Sequence, residues 1–555
     1  MSIISYFEEI VKYAQGRSLK IYLVLVNLLL TIFAIWFANV GLLPFAKVSD
    51  FAVFVILGLL FAAYRPGWAF LFFVGTIALE NINLAPESLG VALRPYQFFA
   101  ALTVGALLVR AFQKKSPVKF PKMGWADWAV LAFALSGFLS ALFAVGKGIA
   151  FKQSIVALSF VAIYFLSRAF IQNLSDIKRV LPFFLSSSIV VLIYGIWQNV
   201  RFAKGLESFE VMPGRPNATF AEADWLGMFV TFLITILFSI VFYLRDKYPK
   251  KEGWKISNFK FLISNKFQIP EFLNAKNLSF LAVFCFNVLL FIVLILTVAR
   301  SAWLGAVVVS IGFLKMILID GFWKIGGWKW KKAGYAALGL LASVVIALGI
   351  VKLFNLSSFE LANRAQSTAS GLQEITISCE SENSGVPQEI GSVSELGRYG
   401  CAHINLEEIE TEKAKGNFVS TAVRPDPNVD LRAQIYKKSW NEIKSNPVFG
   451  IGWGNIGKIL GSDERGASLN ASNIFLEVWL GTGIVGLVCL VFVFGSILIK
   501  SLQFYYEGGV GEKTAAVFAA LGAFAILVPN LFNSGIFLGF LWAYFGIAVS
   551  LLNKK

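Results

Sequence analysis

The sequence predicts an all-α polytopic membrane protein of about 12–14 transmembrane helices, interrupted by one large extracytoplasmic loop. Three observations predict it. Of 555 residues, 57% are apolar and only 15% charged, and 54 are Phe, with a mean hydropathy of +0.70; soluble domains carry about 25% charged residues. The apolar residues gather into runs close to the roughly 20 that cross a hydrocarbon core of about 30 Å. One long stretch alone, about 355–470, is polar. This composition excludes a soluble enzyme or a soluble DNA-binding protein.

Fourteen runs qualify as spans, at about 21–43, 49–64, 68–84, 94–112, 125–145, 149–170, 180–201, 221–244, 278–298, 301–320, 334–354, 473–499, 514–530 and 533–552. Most are apolar on every face, which marks spans rather than the half-buried helices of a soluble core. The second, third and thirteenth are short enough to be tilted pairs or re-entrant. The opening MSIISYFEEIVKYAQGRSLK is polar and amphipathic and leads into a full-length span, so it does not read as a cleavable signal peptide.

The net charge of +16 needs an explanation, and its placement supplies one. With the N-terminus in the cytoplasm, the inner loops collect Lys12, Arg17 and Lys20, then Arg110, Lys114, Lys115, Lys119 and Lys122, then Arg168, Lys178 and Arg179. They also take the basic stretch Arg245 to Lys276, the segment GFWKIGGWKWKK, and Lys554 and Lys555. The short outer loops hold only scattered bases, among them Lys47, Arg94, Lys147, Lys204, Arg215 and Arg300. Most of the charge is therefore the cytoplasmic Lys/Arg excess that sets topology. Both termini are expected in the cytoplasm, and no nucleic-acid partner is expected.

The expected division is an N-terminal transmembrane bundle over 1–354, an outer loop over 355–470 with an inserted lobe at 370–425, and C-terminal transmembrane helices over 471–555. An ordered excursion of that length is usually functional. Cys285 and Cys489 fall inside spans and read as packing residues. Cys379 and Cys401 lie in the outer loop, where oxidation is permitted, and are expected to form a disulfide. The sequence between them reads as irregular. After the lobe, residues 430–444 have helical spacing, with Asp430 as N-cap and Asn446-Pro447 as the stop.

Ionisable residues avoid the centres of the spans, unlike in a transporter, where they line a path across the membrane. They gather instead at expected outer ends: Glu80, Arg215, Glu222, Asp224, Arg300 and Glu477. Three segments stand out. The first is the turn-rich run from Pro213 through Arg215, Glu222 and Asp224 to Gly227. The second is the hairpin Thr297-Val298-Ala299-Arg300-Ser301-Ala302-Trp303-Leu304-Gly305. The third runs from Arg432 through Asn446-Pro447-Val448-Phe449-Gly450-Ile451-Gly452-Trp453-Gly454 to Ser472-Asn473 and Glu477. Arginine holds its charge near low dielectric and grips two phosphate oxygens at once. The glycines at 450, 452 and 454 read first as a tight turn packing the loop onto the spans; as a phosphate loop they lack the Walker lysine and βαβ context.

In their order and spacing around one outer loop, these segments resemble the O-antigen ligase and polymerase family of bacterial membrane glycosyltransferases. The Arg-Ser-Ala-Trp-Leu-Gly hairpin, the Arg432…Trp440…Asn446-to-Gly452 string, the Asn473…Glu477…Gly483…Gly486 pattern and the closing Phe537-Leu538-Gly539-Phe540-Leu541-Trp542 carry the resemblance, which is strongest from about 210 to 550. It implies a GT-C-type, metal-independent transferase of the bacterial inner membrane, working at the periplasmic face without a cofactor. The implied donor is a glycan on undecaprenyl pyrophosphate, and the implied acceptor a lipid or another glycan. The family's pyrophosphate-binding arginines correspond to Arg215, Arg300 and Arg432, with Arg364 a fourth candidate. Where ligases of the family carry a His before the Asn of the last motif, this chain has Ser472, which cannot act as a base without another group to take the proton. Asp224, Glu222 and Glu477 are the candidate bases in its place; His403, the one histidine, lies in the inserted lobe. The alternatives are a polymerase rather than a ligase, a transporter or flippase of lipid-linked sugars, and an inactive assembly partner.

Overall fold

The computed structural model describes residues 17–112, 121–212, 214–247, 275–319, 330–356, 372–382, 384–404, 408–425, 427–461 and 468–553. Arg364, Lys12, Lys114, Lys115, Lys119, Lys554, Lys555 and most of the two basic stretches around 248–274 and 320–329 lie outside them. The chain is mostly helical. Before the polar excursion come α1 (Arg17–Asn39), α2 (Val48–Tyr64), α3 (Pro66–Thr76), α4 (Pro95–Phe112), α5 (Trp125–Phe143), α6 (Lys147–Phe170), α7 (Leu174–Ala203), α8 (Ala223–Lys247), α9 (Ala275–Leu296), α10 (Arg300–Ile319) and α11 (Trp330–Leu353). The excursion contains β1 (Leu372–Cys379), β2 (Cys401–His403), α12 (Ile409–Ala414), β3 (Phe418–Pro425), α13 (Pro427–Ser445) and α14 (Ile456–Leu460). The chain returns through α15 (Ile474–Glu507), α16 (Val510–Asn530) and α17 (Gly539–Leu551).

Each of the fourteen expected runs is a helix. Ten are long and apolar enough to cross a membrane, α2 and α3 form a pair bent by 119°, and the apolar parts of α9 and α17 are shorter, Leu281–Leu296 and Gly539–Leu551. The bend has a local cause: Arg65 precedes Pro66, and the proline ring drives the residue before it out of the helical region, here to φ −135° and ψ 70°. The thirteenth run is a full-length span after all, because α16 begins four residues earlier than expected, at Val510.

The bundle is sorted by burial. α8, α16 and α17 form the centre, with α15 packed between α5 and α16, and α6 against α17. α1 and α11 lie outermost and expose large apolar side chains such as Leu25, Leu29, Leu341 and Val345. A surface that apolar is stable against lipid tails and not against water. Cys489 is buried as expected, but Cys285 is exposed on α9 rather than packed in the core; a small, weakly polar thiol suits a lipid-facing position.

The inserted lobe is more regular than its composition implies. β1 is the central strand of a three-stranded antiparallel sheet in the order β2-β1-β3. Ile375, Ile377, Ile390, Leu396 and Ala422 make a small core of their own. A disulfide joins Cys379 to Cys401, with an S–S distance of 2.05 Å. The few apolar residues of the lobe alternate along β1 and so share one face, which low overall hydropathy conceals. The helix after the lobe begins at Pro427, so Asp430 sits inside its first turn and is not the cap. Proline suits a first helical position because its missing N–H needs no partner there. The helix stops at Ser445, before Asn446-Pro447.

The span α15 is broken inside the membrane. At Gly483 the backbone turns to φ 71° and ψ −172°, and residues 447–452 dock into the gap. The N–H groups of Ile451 and Gly452 donate to the Leu480 carbonyl at 2.7 and 3.2 Å, and the Ile484 N–H donates to the Pro447 carbonyl at 3.2 Å. A Cβ on Gly483 would collide with the Val448 carbonyl, and one on Gly450 with that of Leu480. The glycines that read as a tight turn thus let a loop supply the backbone bonds that the broken helix lacks.

Two outcomes follow. Gly483→Val is expected to lower the melting temperature of the purified protein sharply, whereas Gly495→Val, in the same helix with open space around it, leaves it unchanged or slightly raised. Replacing Cys379 and Cys401 with Ser is expected to loosen the lobe by about 3 kcal/mol, measured as faster protease cleavage between residues 372 and 425 with the bundle intact.

Candidate functional site

Two of the apolar helices are shorter than a full span. α3 has 11 residues and α17 has 13, about 16 and 20 Å of helix against a core of about 30 Å. Both end at one contact. Glu80 Oε1 accepts the Gly539 N–H at 2.6 Å, the Tyr96 hydroxyl donates to Glu80 Oε2 at 2.8 Å, and Arg94 Nη1 lies 3.3 Å from the same oxygen. Arg94 also donates to the Phe537 carbonyl at 3.0 Å and to the Tyr96 hydroxyl at 2.9 Å. Glu80 is 3% exposed. An ionisable side chain so deep is tolerated because every oxygen has a donor.

Above this contact, irregular segments from across the chain meet at one end of the bundle. The loop before α8 holds Arg215, which is 8% exposed. Its Nε donates to the Thr297 carbonyl at 3.2 Å, and its Nη2 stands 3.4 Å from both carboxylate oxygens of Asp224. Charge-assisted bonds normally measure about 2.7–2.9 Å, so the guanidinium is aimed by Thr297 and held only loosely by Asp224. Three residues beyond Thr297, Arg300 opens α10. Its neighbour Ser301 accepts from Asn533 at 2.9 Å, and the adjacent Phe532 carbonyl accepts from Arg432 of α13 at 3.5 Å. A single path of peptide links and hydrogen bonds therefore joins Arg215, Arg300 and Arg432.

The segment 530–539 between α16 and α17 is the hub of that path. Besides Ser301 and Arg432, it binds Asn473, whose side chain donates to the Leu531 carbonyl at 3.0 Å. Asn530 shapes the turn by accepting the Gly535 N–H at 2.7 Å. On the other side of the hub, Asn473 caps α15 through the N–H groups of Phe475 and Leu476. Ser472 has a positive φ of 49°, and its carbonyl accepts the Tyr436 hydroxyl at 3.2 Å. Glu477 faces inward and accepts the Ala471 N–H at 2.7 Å, which fixes the turn carrying Ser472. Glu222 is exposed just before α8, two residues from Asp224. His403 pairs with Ile377 in the lobe sheet, its side chain exposed.

Backbone strain concentrates here. Among the described residues five non-glycines have positive φ, and Phe209, Ala218, Val298 and Ser472 belong to the loops that build this end. Left-handed backbone is a marked outlier for a β-branched residue such as Val298, and such strain persists where the surroundings over-determine it, often at functional sites. The turn at Val298 presents the Thr297 carbonyl to Arg215 and starts α10 at Arg300.

The structure brings Arg215, Asp224, Arg300 and Arg432 to one end, with Ser472 and Glu477 on the adjoining turn. Sequence reasoning left Arg94, Tyr96, Asn530 and Asn533 without a role. The run Pro529-Asn530-Leu531-Phe532-Asn533-Ser534-Gly535, polar punctuation between two apolar helices, was the available signal for the last two. The opposite end has a different chemistry: Asp127 and Arg168 form a buried ion pair at 2.5 Å, the Tyr164 hydroxyl donates to Asp127 at 2.7 Å, and Arg168 donates to the Lys122 carbonyl at 3.0 Å.

The fold and this polar end define a multi-pass membrane protein with three arginines gathered at one end of its bundle. Residues 285–491 match the family model described as O-Antigen ligase, a stretch that contains Arg300, Arg432, Ser472 and Glu477. It is an O-antigen ligase-like membrane protein. No curated protein matches the chain.

Glu80→Ala would leave Arg94 without its carboxylate, and breaking a buried pair costs about 3–5 kcal/mol. A loss of that size in thermal or denaturant unfolding is expected for Glu80→Ala, and a smaller one for Glu80→Gln, which keeps one acceptor.

Proposed function

We propose that this protein transfers glycan from an undecaprenyl-pyrophosphate-linked donor to a lipid or glycan acceptor at the periplasmic face of the bacterial inner membrane. The observation that carries the reading is the joining of Arg215, Arg300 and Arg432 through the 530–539 segment, next to a polar floor made by Glu80, Arg94 and Gly539. Leaving-group departure puts negative charge on the pyrophosphate, and fixed guanidinium groups in a site of low dielectric stabilise that charge as it develops. Thr297 pre-orients Arg215, so little reorganisation is needed when phosphate oxygens replace the loose Asp224 contact. A donor that already carries the energy of transfer needs neither nucleotide nor cofactor.

Asp224 is the base in this reading. Freed from Arg215 by the incoming pyrophosphate, its carboxylate accepts the proton of the acceptor hydroxyl while that oxygen attacks the anomeric carbon and the carbon–phosphate-oxygen bond breaks. Glu222, two residues earlier and exposed, is the second candidate. Glu477 is occupied by the Ala471 N–H and holds the turn of Ser472 in place. Membrane lipids surround the bundle, and the large loop carries α13 and Arg432 to this end of the bundle from the periplasmic side, with both termini in the cytoplasm.

The test is transfer by purified protein supplied with lipid-pyrophosphate-linked glycan and acceptor. Arg215→Ala and Arg300→Ala are each expected to reduce product at least a hundredfold with normal membrane insertion, and Asp224→Asn to slow turnover more than it weakens donor binding. Full transfer by both arginine variants would overturn the pyrophosphate assignment.

A further inference from the structure

A cavity of about 260 Å³ lies beneath the polar floor, on the side of the bundle away from the arginines. It is walled by α3, α6, α7, α8, α16 and α17. At its deep end are Ile77 and Phe540, next to the Glu80–Gly539 contact; at the other end are Lys178 and Tyr243. Along α8 its lining runs from Phe232 to Tyr243, about 16 Å of helix. The shape is a slot aligned with the bundle axis.

Its chemistry is one-sided. The walls are apolar, and three of the hydroxyls that border it are engaged within the protein: Ser239 donates to Thr235, Thr514 to Val510 and Tyr544 to Ala519. An apolar cavity of this kind offers water no partners and stays dry. In a bundle bathed in lipid, a hydrocarbon chain is the occupant that such walls favour. Lys178 is the one cation in the lining; it is exposed, and Tyr243 holds it by a 2.7 Å hydrogen bond and by a ring face 4.4 Å away. An ammonium carries three donors, so two remain for an anion at the mouth.

We propose that this slot binds one acyl chain of an anionic phospholipid, with the phosphate at Lys178 and the chain end beneath the Glu80–Gly539 contact. The polar floor separates the slot from Arg215, Arg300 and Arg432, and the cation complementary to phosphate stands at the opposite mouth. A lipid seated there is therefore not the glycan donor. It fills the space behind α3 and α17, the two short helices that position the floor.

The test is the lipid that the full-length protein retains from nanodiscs of phosphatidylethanolamine and phosphatidylglycerol after detergent washing, counted by native mass spectrometry. Wild type is expected to keep one phosphatidylglycerol per chain. Ser239→Phe, which fills the slot from α8, is expected to cut that retention at least fivefold. Lys178→Gln is expected to keep a lipid in the slot but to lose the preference for phosphatidylglycerol. Ala543→Phe, on the opposite wall, repeats the first arm if Ser239→Phe fails to fold. No retained lipid in wild type, retention unchanged in a monodisperse filled variant, or an isoprenoid in place of the phospholipid would each overturn the proposal. None of these readouts depends on glycan transfer.

Discussion

The irregular backbone at Gly483 and Gly539 is governed by one constraint: N–H and C=O groups among the spans must find partners inside the chain. The chain leaves helical geometry at Arg65, at Gly483 and between Asn530 and Gly539, and at the last two another segment supplies the missing bonds. At Gly483 the supplier is the loop 447–452. At Gly539 it is the carboxylate of Glu80. These two repairs let polar side chains sit among the spans, because a bundle of uninterrupted spans has no unwound backbone with which to hold them.

The two ends of the bundle use charge in opposite ways. Asp127 and Arg168 are closed on each other, with Tyr164 completing the carboxylate; this ion pair ties α5 to α6 and leaves nothing to offer a ligand. At the other end Arg215 meets Asp224 at 3.4 Å through both oxygens, and Arg432 reaches the Phe532 carbonyl at 3.5 Å and lies over that residue's ring. Short and fully satisfied contacts belong to a structural clamp. The longer contacts at the other end are oriented by backbone carbonyls instead.

Much of the fold was legible because a bilayer imposes a length and a composition on each element, and each of the fourteen apolar runs is a helix. The ends of elements were less so. α13 begins at Pro427 rather than after Asp430, since a proline start leaves no side-chain cap to read. The lobe looked irregular because its apolar face amounts to a handful of residues such as Ile375 and Ile377. Of the site, the arginines were visible as charges on the unexpected side of a topology pattern. Arg94 was visible in the same way, but its bond to Phe537 spans 443 positions of chain, and no local pattern encodes such a contact. Glu477 read as a candidate base from its position at a span end; only the coordinates reveal that its carboxylate is turned back onto Ala471.

The lobe leaves and rejoins the chain at a single point. Leu372 opens β1 and Pro425 closes β3, and the two are partners in the sheet register, so their backbones run side by side. Everything between them hangs from that doorway, tied by its own disulfide and its own small core. Its internal packing is therefore separate from that of the helix that carries Arg432. The lobe and the helix that carries Arg432 are thus two units of one polypeptide, joined through a neck two strands wide.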